Sequence, residues 1–550
     1  MPWQLPIVRP IRPHTIEMPM PSKPRPANEL AQLHKRLCFV RAFPTSQAEW
    51  RKAQSTLLGY EQSVAAQSRA ARSKLWDSGI AGTRIHYRFS YAVARWLARR
   101  APGRVSIDWQ DMGDTTRLDE LLRCLLQASE DEYFDGGYVT SKEWLRSAAR
   151  GSGGTDFDWL LAQLQDARLR PFWAELYDAA ELPLLWDLGG SKYSKSKNVF
   201  ANDAIRTREG GMRRRPRQIK KDIQRPLKSL QRLSPRDGAR LIDVAMASLA
   251  VRHRETYHFN YANPAEVYLA DVGAGVSVAV FGLLPEYRFP LECTMGFLIL
   301  SNGAPIGYGG SSIVFRQVNT GINIFDEYRG SEASYLWIQV MRVYHALVGC
   351  TRYIANPYQF GGDNSEGLRS GAFWFYYRLG YRPVLSDIRK LAAREAAHMR
   401  RNKAYRSDLK TLRHLASCDM HLTLADARAS ELFEERWIET SSMLASETLN
   451  DAGGATREAS ARIVAANVAT DLGLKALQRW SASERRAFTN IAPIVAAAHP
   501  ASWSPGEKRS MRRLLRAKGG DSEARFAKSL CEHHKFLESL RKACRAAEAI

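Results

Sequence analysis

Phe297–Gly310 reads FLILSNGAPIGYGG, Phe325–Ser334 reads FDEYRGSEAS and Gly371–Pro383 reads GAFWFYYRLGYRP. In the first stretch two apolar runs flank Asn302-Gly303, the strongest short hairpin signal because both turn positions favour positive φ. Around it, EVYLAD (266–271), VSVAVFGLL (276–284) and PIGYGGSSIVF (305–315) read as consecutive strands, rich in Val, Ile, Phe and Tyr with period two. GINIF (321–325) is a further strand ending at Asp326. A helix from about Glu332 to Leu347, the strand TRYIAN (351–356) and a helix from Glu366 to Arg378 follow. The predicted class is α+β, a central mixed sheet flanked by helical N- and C-terminal regions.

On the N-terminal side, Ala27 to about Gln165 shows apolar positions at three- and four-residue spacing, as in TRLDELLRCLLQ, so this part is predicted mostly helical. The segment from Arg206 to Arg240 carries 13 Lys or Arg against Glu209, Asp222 and Asp237. That is +10 of the chain's net +23, concentrated in 35 residues. Its prolines and lack of an apolar period predict a linker or loop, with phosphates of a nucleic acid or tRNA as a candidate partner. Ser234, with Pro235 and Asp237 behind it, starts a helix whose buried stripe is Leu241, Val244, Ala245 and Leu249. Beyond Ser386 the pattern is helical to the end, with capping boxes at Ser481–Glu484 and Ser504–Glu507. The expected organisation is a Pro-rich flexible arm (1–28), a mostly helical region (29–204), a basic linker (205–234), the sheet domain (235–390) and a helical C-terminal region (391–550).

The 550 residues exceed one core, and 45% apolar with 25% charged residues is the balance of a globular chain. Seven scattered cysteines with no CxxC pair argue against a disulfide framework and for a reducing, cytoplasmic setting. The N-terminus has prolines and arginines where a signal peptide has an apolar core. The most apolar stretch, Val276 to Leu300, is interrupted by Pro285, Glu286, Arg288, Pro290 and Glu292, so no membrane span is expected. Cys531, His533, His534 and Cys544 fall in a helical pattern with Phe526, Leu530 and Leu537, which reads as core and surface rather than a metal site.

The chemistry is expected where strand GINIF turns into the helix after Glu332, because free backbone N–H groups and the helix dipole there favour a phosphate. FLILSNGAPIGYGG, FDEYRG at a strand end and GAFWFYYRLGYRP together resemble the GNAT superfamily of acyl-CoA-dependent transferases over about 90 to 120 residues. The resemblance implies that the turn holds the pyrophosphate of acetyl-CoA or another acyl-CoA through Arg329, Gly330, Ser331, Ala333 and Ser334. The family's turn reads Arg-x-x-Gly-x-Gly or Ala, and Glu332 stands here at the first glycine position. A carboxylate about 4 Å from a phosphate charge costs on the order of 1 kcal/mol in water and several times that when shielded. Unless Glu332 points away, a donor other than coenzyme A is implied. Phe375-Tyr376-Tyr377-Arg378-Leu379-Gly380-Tyr381 is similar to the family's Phe-Tyr-x-x-Leu-Gly-Phe/Tyr signature, implying Tyr376 as the acid that protonates the leaving thiolate. Glu327 and Asp326 are the nearest carboxylates for a base, with Glu327 the chosen candidate. The resemblance thus implies an acyltransferase acting on an amine or similar nucleophile. Its alternatives are a GNAT-like transferase that takes aminoacyl-tRNA, and a non-catalytic nucleic-acid-binding protein on the same scaffold. The transferase readings require Tyr376 to line an open cleft; a cleft filled by Phe373, Trp374 or Trp337 favours the scaffold. Lys192-Tyr193-Ser194-Lys195-Ser196 resembles the Lys-Met-Ser-Lys-Ser loop of class I aminoacyl-tRNA synthetases, but the companion His-x-Gly-His motif is missing.

Overall fold

In the computed structural model, which describes residues 26–201, 204–330, 332–425 and 431–549, the chain is a mixed α+β protein built on a large mixed sheet. The N-terminal part holds β1 (Arg84–Tyr87), β2 (Val105–Ile107) and β3 (Leu184–Asp187) in a small antiparallel sheet of order β1-β3-β2, surrounded by short helices. These strands escape the helical reading because three or four residues are too few to display a period of two. Residues 1–25, most of the expected arm, lie outside the described residues, and Ala27 already begins the helix Ala27–Ala42.

The large sheet runs β4 (Ser229–Arg232), β5 (Ala262–Gly273), β6 (Val276–Leu283), β7 (Cys293–Ser301), β8 (Ala304–Val314), β9 (Gln317–Thr320), then β11 (Arg352–Ala355), with β10 (Asn323–Ile324) paired to β8. Beyond β11 the order is β13 (Met420–Thr423) and then β12 (Arg382–Pro383). The β7–β8 turn is the predicted one, with Asn302 at φ 48° and Gly303 at φ 78°. The helix Pro235–Ala250 is also as expected, capped by the Ser234 hydroxyl accepting from the Asp237 N–H at 3.2 Å, with Leu241, Val244, Ala245 and Leu249 buried.

Three expectations are corrected. The 205–234 segment is packed in part, with a helix at Ile219–Gln224 and an edge strand, β4, on β5. Buried Ile223 and the Arg342 guanidinium, which donates to the carbonyls of Arg225 and Pro226, hold it down; neither contact has a local sequence signal. The C-terminal region is not wholly helical, because β13 inserts between β11 and β12. The predicted 366–378 helix is two, Ser365–Ser370 and Ala372–Arg378, broken at Gly371, whose φ of 65° is left-handed.

One arrangement positions the site. Strands β9 and β11 are parallel and pair only over Gln317–Asn319, opposite Arg352–Ile354. Past Thr320 the chain leaves β11 and continues as β10 on β8, so the carboxyl ends of the two parallel strands separate. Such a divergence leaves a crevice at strand ends, where open α/β sheets bind ligands. The helix Ala333–Val348 connects them, burying Leu336, Trp337, Val340, Met341 and Tyr344.

Candidate active site

The crevice is a cleft of about 1080 Å³. This is the upper end of the size of small-molecule and cofactor sites, about 300–1,000 Å³. Of the residues expected to carry chemistry, Glu327, Arg329, Gly330, Ala333 and Tyr376 all line it; Ser334 does not, and Ser331 lies outside the described residues. Phe373, Trp374 and Trp337 are buried elsewhere and do not fill it.

The turn into the helix Ala333–Val348 is opened by Gly330 at φ 84°, where an added Cβ meets no atom within 4 Å. A helix start leaves its first-turn N–H groups without intrahelical partners, the general feature that favours an anion there, and Gly330 and Ala333 bring this start to the cleft. Glu332, the residue out of place for a phosphate site, is turned into the protein. Its side chain is fully buried against Arg208, with Nε to Oε1 at 2.9 Å, and it also accepts the Arg213 N–H at 2.9 Å. It therefore adds no charge to the cleft wall. Arg329 is half-exposed at the rim and already engaged by Asp326 (3.0 Å) and Glu366 (2.6 Å), so an incoming phosphate competes with two carboxylates for it.

Tyr376 is buried edge-on to Trp337 and Tyr381, and its hydroxyl oxygen faces the backbone amide of Ile322, where β9 and β11 part. Burial raises its pKa well above that of an ordinary phenol, so the group stays protonated where it lines the cleft.

Glu327, the expected base, is set differently. Burial opposes its charge, but Arg252 (3.2 Å) and Lys195 (3.0 Å) outweigh burial and hold the carboxyl far below the usual range. A carboxylate clamped by two cations is a weak proton acceptor. Its chemistry is to fix Lys195 and Arg252 beside the cleft.

Further lining comes from the N-terminal region, which carried no functional signal, and from the turn after the 235–250 helix. Helix Ala27–Ala42 supplies Gln32, His34 and Lys35; the loop after Trp76 supplies Asp77 and Ser78; the end of the 235–250 helix supplies Arg252, His253 and Arg254. His34 Nε2 lies 2.8 Å from the Ser196 hydroxyl, and burial, then Arg41 and Lys195, push its pKa down to about 3. Lys195 and Ser196 belong to the 192–196 motif that resembled a synthetase loop. Here that motif is a latch, its carbonyls held by Arg41 at 3.0 and 2.6 Å and its lysine on Glu327.

His253 Nε2 sits 3.5 Å from Asp77 Oδ1, the same oxygen that accepts the His86 backbone N–H at 2.7 Å. Both Asp77 and His253 are left-handed, with φ 62° and 55°. Burial lowers the His253 pKa against the pull of Asp77, leaving a neutral imidazole in the cleft at neutral pH. Its Nε2 makes no hydrogen bond to Asp77 Oδ1, and the neutral imidazole is a better proton acceptor here than the clamped Glu327.

Among the described residues no group of three His, Cys, Asp or Glu could hold a metal ion, and no helix is long and apolar enough to cross a membrane. Comparison with protein-family models, curated proteins and solved structures finds no match to this chain.

Proposed function

We propose that this protein is an acyltransferase of GNAT-like type, which moves an acyl group from an acyl-CoA-type donor to an amine or similar nucleophile. The observation that carries the reading is that residues from two separated stretches, Glu327, Arg329, Gly330 and Ala333 from one and Tyr376 from the other, meet on one open cleft at the parting of two parallel strands. The burial of Glu332 against Arg208 removes the obstacle to a diphosphate at the turn.

The donor's diphosphate lies at Gly330 and the first turn of the 333–348 helix, and its thioester reaches toward Tyr376. The acceptor nitrogen attacks the thioester carbonyl carbon, the carbon–sulfur bond breaks, and the departing thiolate takes the Tyr376 proton. His253, on the wall of the same cleft, accepts the proton that the amine loses. Positioning of the two reactants in one cleft supplies most of the rate.

Calorimetric titration with acetyl-CoA and with free coenzyme A tests the donor. Saturable binding is expected, weakened about tenfold or more in Arg329→Ala, in line with loss of a charge-assisted hydrogen bond, and unchanged in Tyr376→Phe. Absence of binding at millimolar ligand removes coenzyme A as donor.

A further inference from the structure

The concentrated charge of the 206–240 segment is only partly used up by folding. Arg208 is consumed by Glu332, Arg232 by Asp521, Arg240 by Asp237, and Arg225 leans on Asp222. Arg214, Arg217, Lys220 and Lys221 remain exposed, and among the described residues none has a carboxylate oxygen within 4.0 Å. They are not on a free tether. The segment is pinned on one side of this group by the Arg213 N–H to Glu332 and by Arg213 over the Tyr335 ring at 5.3 Å. It is pinned on the other by buried Ile223 and by Arg342 on the carbonyls of Arg225 and Pro226. In between, Arg215 donates to the backbone carbonyl of Arg378, itself an exposed cation at the end of the Tyr376 helix.

Fixing like charges side by side raises the energy of the free protein, and a polyanion relieves it. We propose that Arg214, Arg215, Arg217, Lys220, Lys221 and Arg378 form a nucleic-acid-binding surface that grips the phosphodiester backbone. The absence of any exposed large apolar side chain among the described residues of 206–240 leaves nothing to insert into a bilayer, so a lipid surface fits less well. The surface has no exposed aromatic ring for base stacking, so it takes backbone without sequence preference. This inference stands whether or not the cleft transfers an acyl group.

The test is fluorescence anisotropy of the full chain with labelled tRNA, single-stranded RNA and duplex DNA across a salt series, with anionic phosphatidylserine vesicles in parallel. Four or five phosphate contacts on a single strand predict a log–log salt slope of about −3, and affinity about 60-fold weaker on going from about 50 to 200 mM salt. The variant R214Q/R217Q/K220Q/K221Q is expected to weaken binding at least tenfold and flatten the slope, while circular dichroism confirms its fold. R479Q/R486Q/R509Q/R513Q, which removes the same charge from exposed helices of the C-terminal region, is expected to bind as wild type. The proposal is overturned if wild type binds none of the three nucleic acids at 50 mM salt, if both variants weaken equally, or if only vesicles are bound. Preference among tRNA, single strand and duplex identifies the source of the backbone.

Discussion

Two buried charge networks brace the large sheet, and they are built in opposite ways. At the cleft, a single carboxylate, Glu327, faces two cations, Lys195 and Arg252, which are 15% and 10% exposed. Where the C-terminal helices dock, two carboxylates and two cations are sealed from water. Arg288 reaches Glu266 at 2.9 Å and Glu523 at 3.6 Å, and Lys518 reaches Glu523 at 3.4 Å. The first network has surplus positive charge and an opening to solvent, the arrangement that attracts an anionic ligand. The second is balanced and closed, so it can only join parts of the protein. Arg288 also donates to the carbonyls of Lys518 and Gly520, and Glu266 accepts the Ala524 N–H, which ties the start of the Glu523–Cys531 helix to β5.

The comparison is broken most severely by Arg288→Ala, which leaves two carboxylates buried without their shared cation. Loss of one partner of a buried pair costs about 3–5 kcal/mol. The expected result is early exchange of the 505–531 amides in hydrogen-exchange mass spectrometry, with the cleft residues still protected. Uniform loss of protection breaks the distinction between a docking network and a cleft network. Glu327→Gln comes next, at about 3 kcal/mol, the low end for a buried pair because its cations retain some water. By freeing Lys195 and Arg252 it is expected to tighten acetyl-CoA binding severalfold. Weaker binding assigns Glu327 to holding the donor rather than to restraining its cations.

The smallest effect is a difference in pH response. Burial pushes the Glu266 carboxyl up to about 7, against Arg288, while Arg252 and Lys195 overcome burial to lower Glu327. A carboxyl raised on folding contributes stability that is complete below its unfolded value near 4.5 and is lost as pH rises through 7. A lowered one contributes above about 4.5 and loses its contribution only in acid. Between about pH 5.5 and 8 the docking network weakens while the cleft network holds. Glu266→Gln is expected to flatten the fall in Tm over that range by about 2 °C, and Glu327→Gln to leave its slope unchanged. Equal slopes in wild type and Glu266→Gln remove the docking network from the pH response.

The cleft is half legible in the sequence. Its sheet-side residues sit in signals that are local and dense: a two-residue turn, a strand running into a helix, and an aromatic helix ending at Leu379-Gly380. The other wall is contributed by residues such as His34 and Asp77, far from the sheet in the chain, and by His253 in the turn after the 235–250 helix, none of them in a pattern that marks a site. Lys195 drew notice for its neighbours' likeness to a synthetase loop, yet its partner, Glu327, lies 132 positions away. Glu332 shows the limit from the other side, since its place in the turn suggested a repelled phosphate and only its pairing with Arg208 turns it inward.

Periodicity, turn chemistry and caps act between neighbours within a few residues, and the sequence alone determined what depends on them: the β7–β8 hairpin, the Ser234 cap, the 333–348 helix and the concentration of charge after Arg206. Tertiary structure decided the pairing of β4 and β13, the side to which Glu332 points, the clamp on Glu327 and which cations remain exposed. Each of these depends on a partner brought close only by the packed chain, and burial, by removing water, makes that partner decisive.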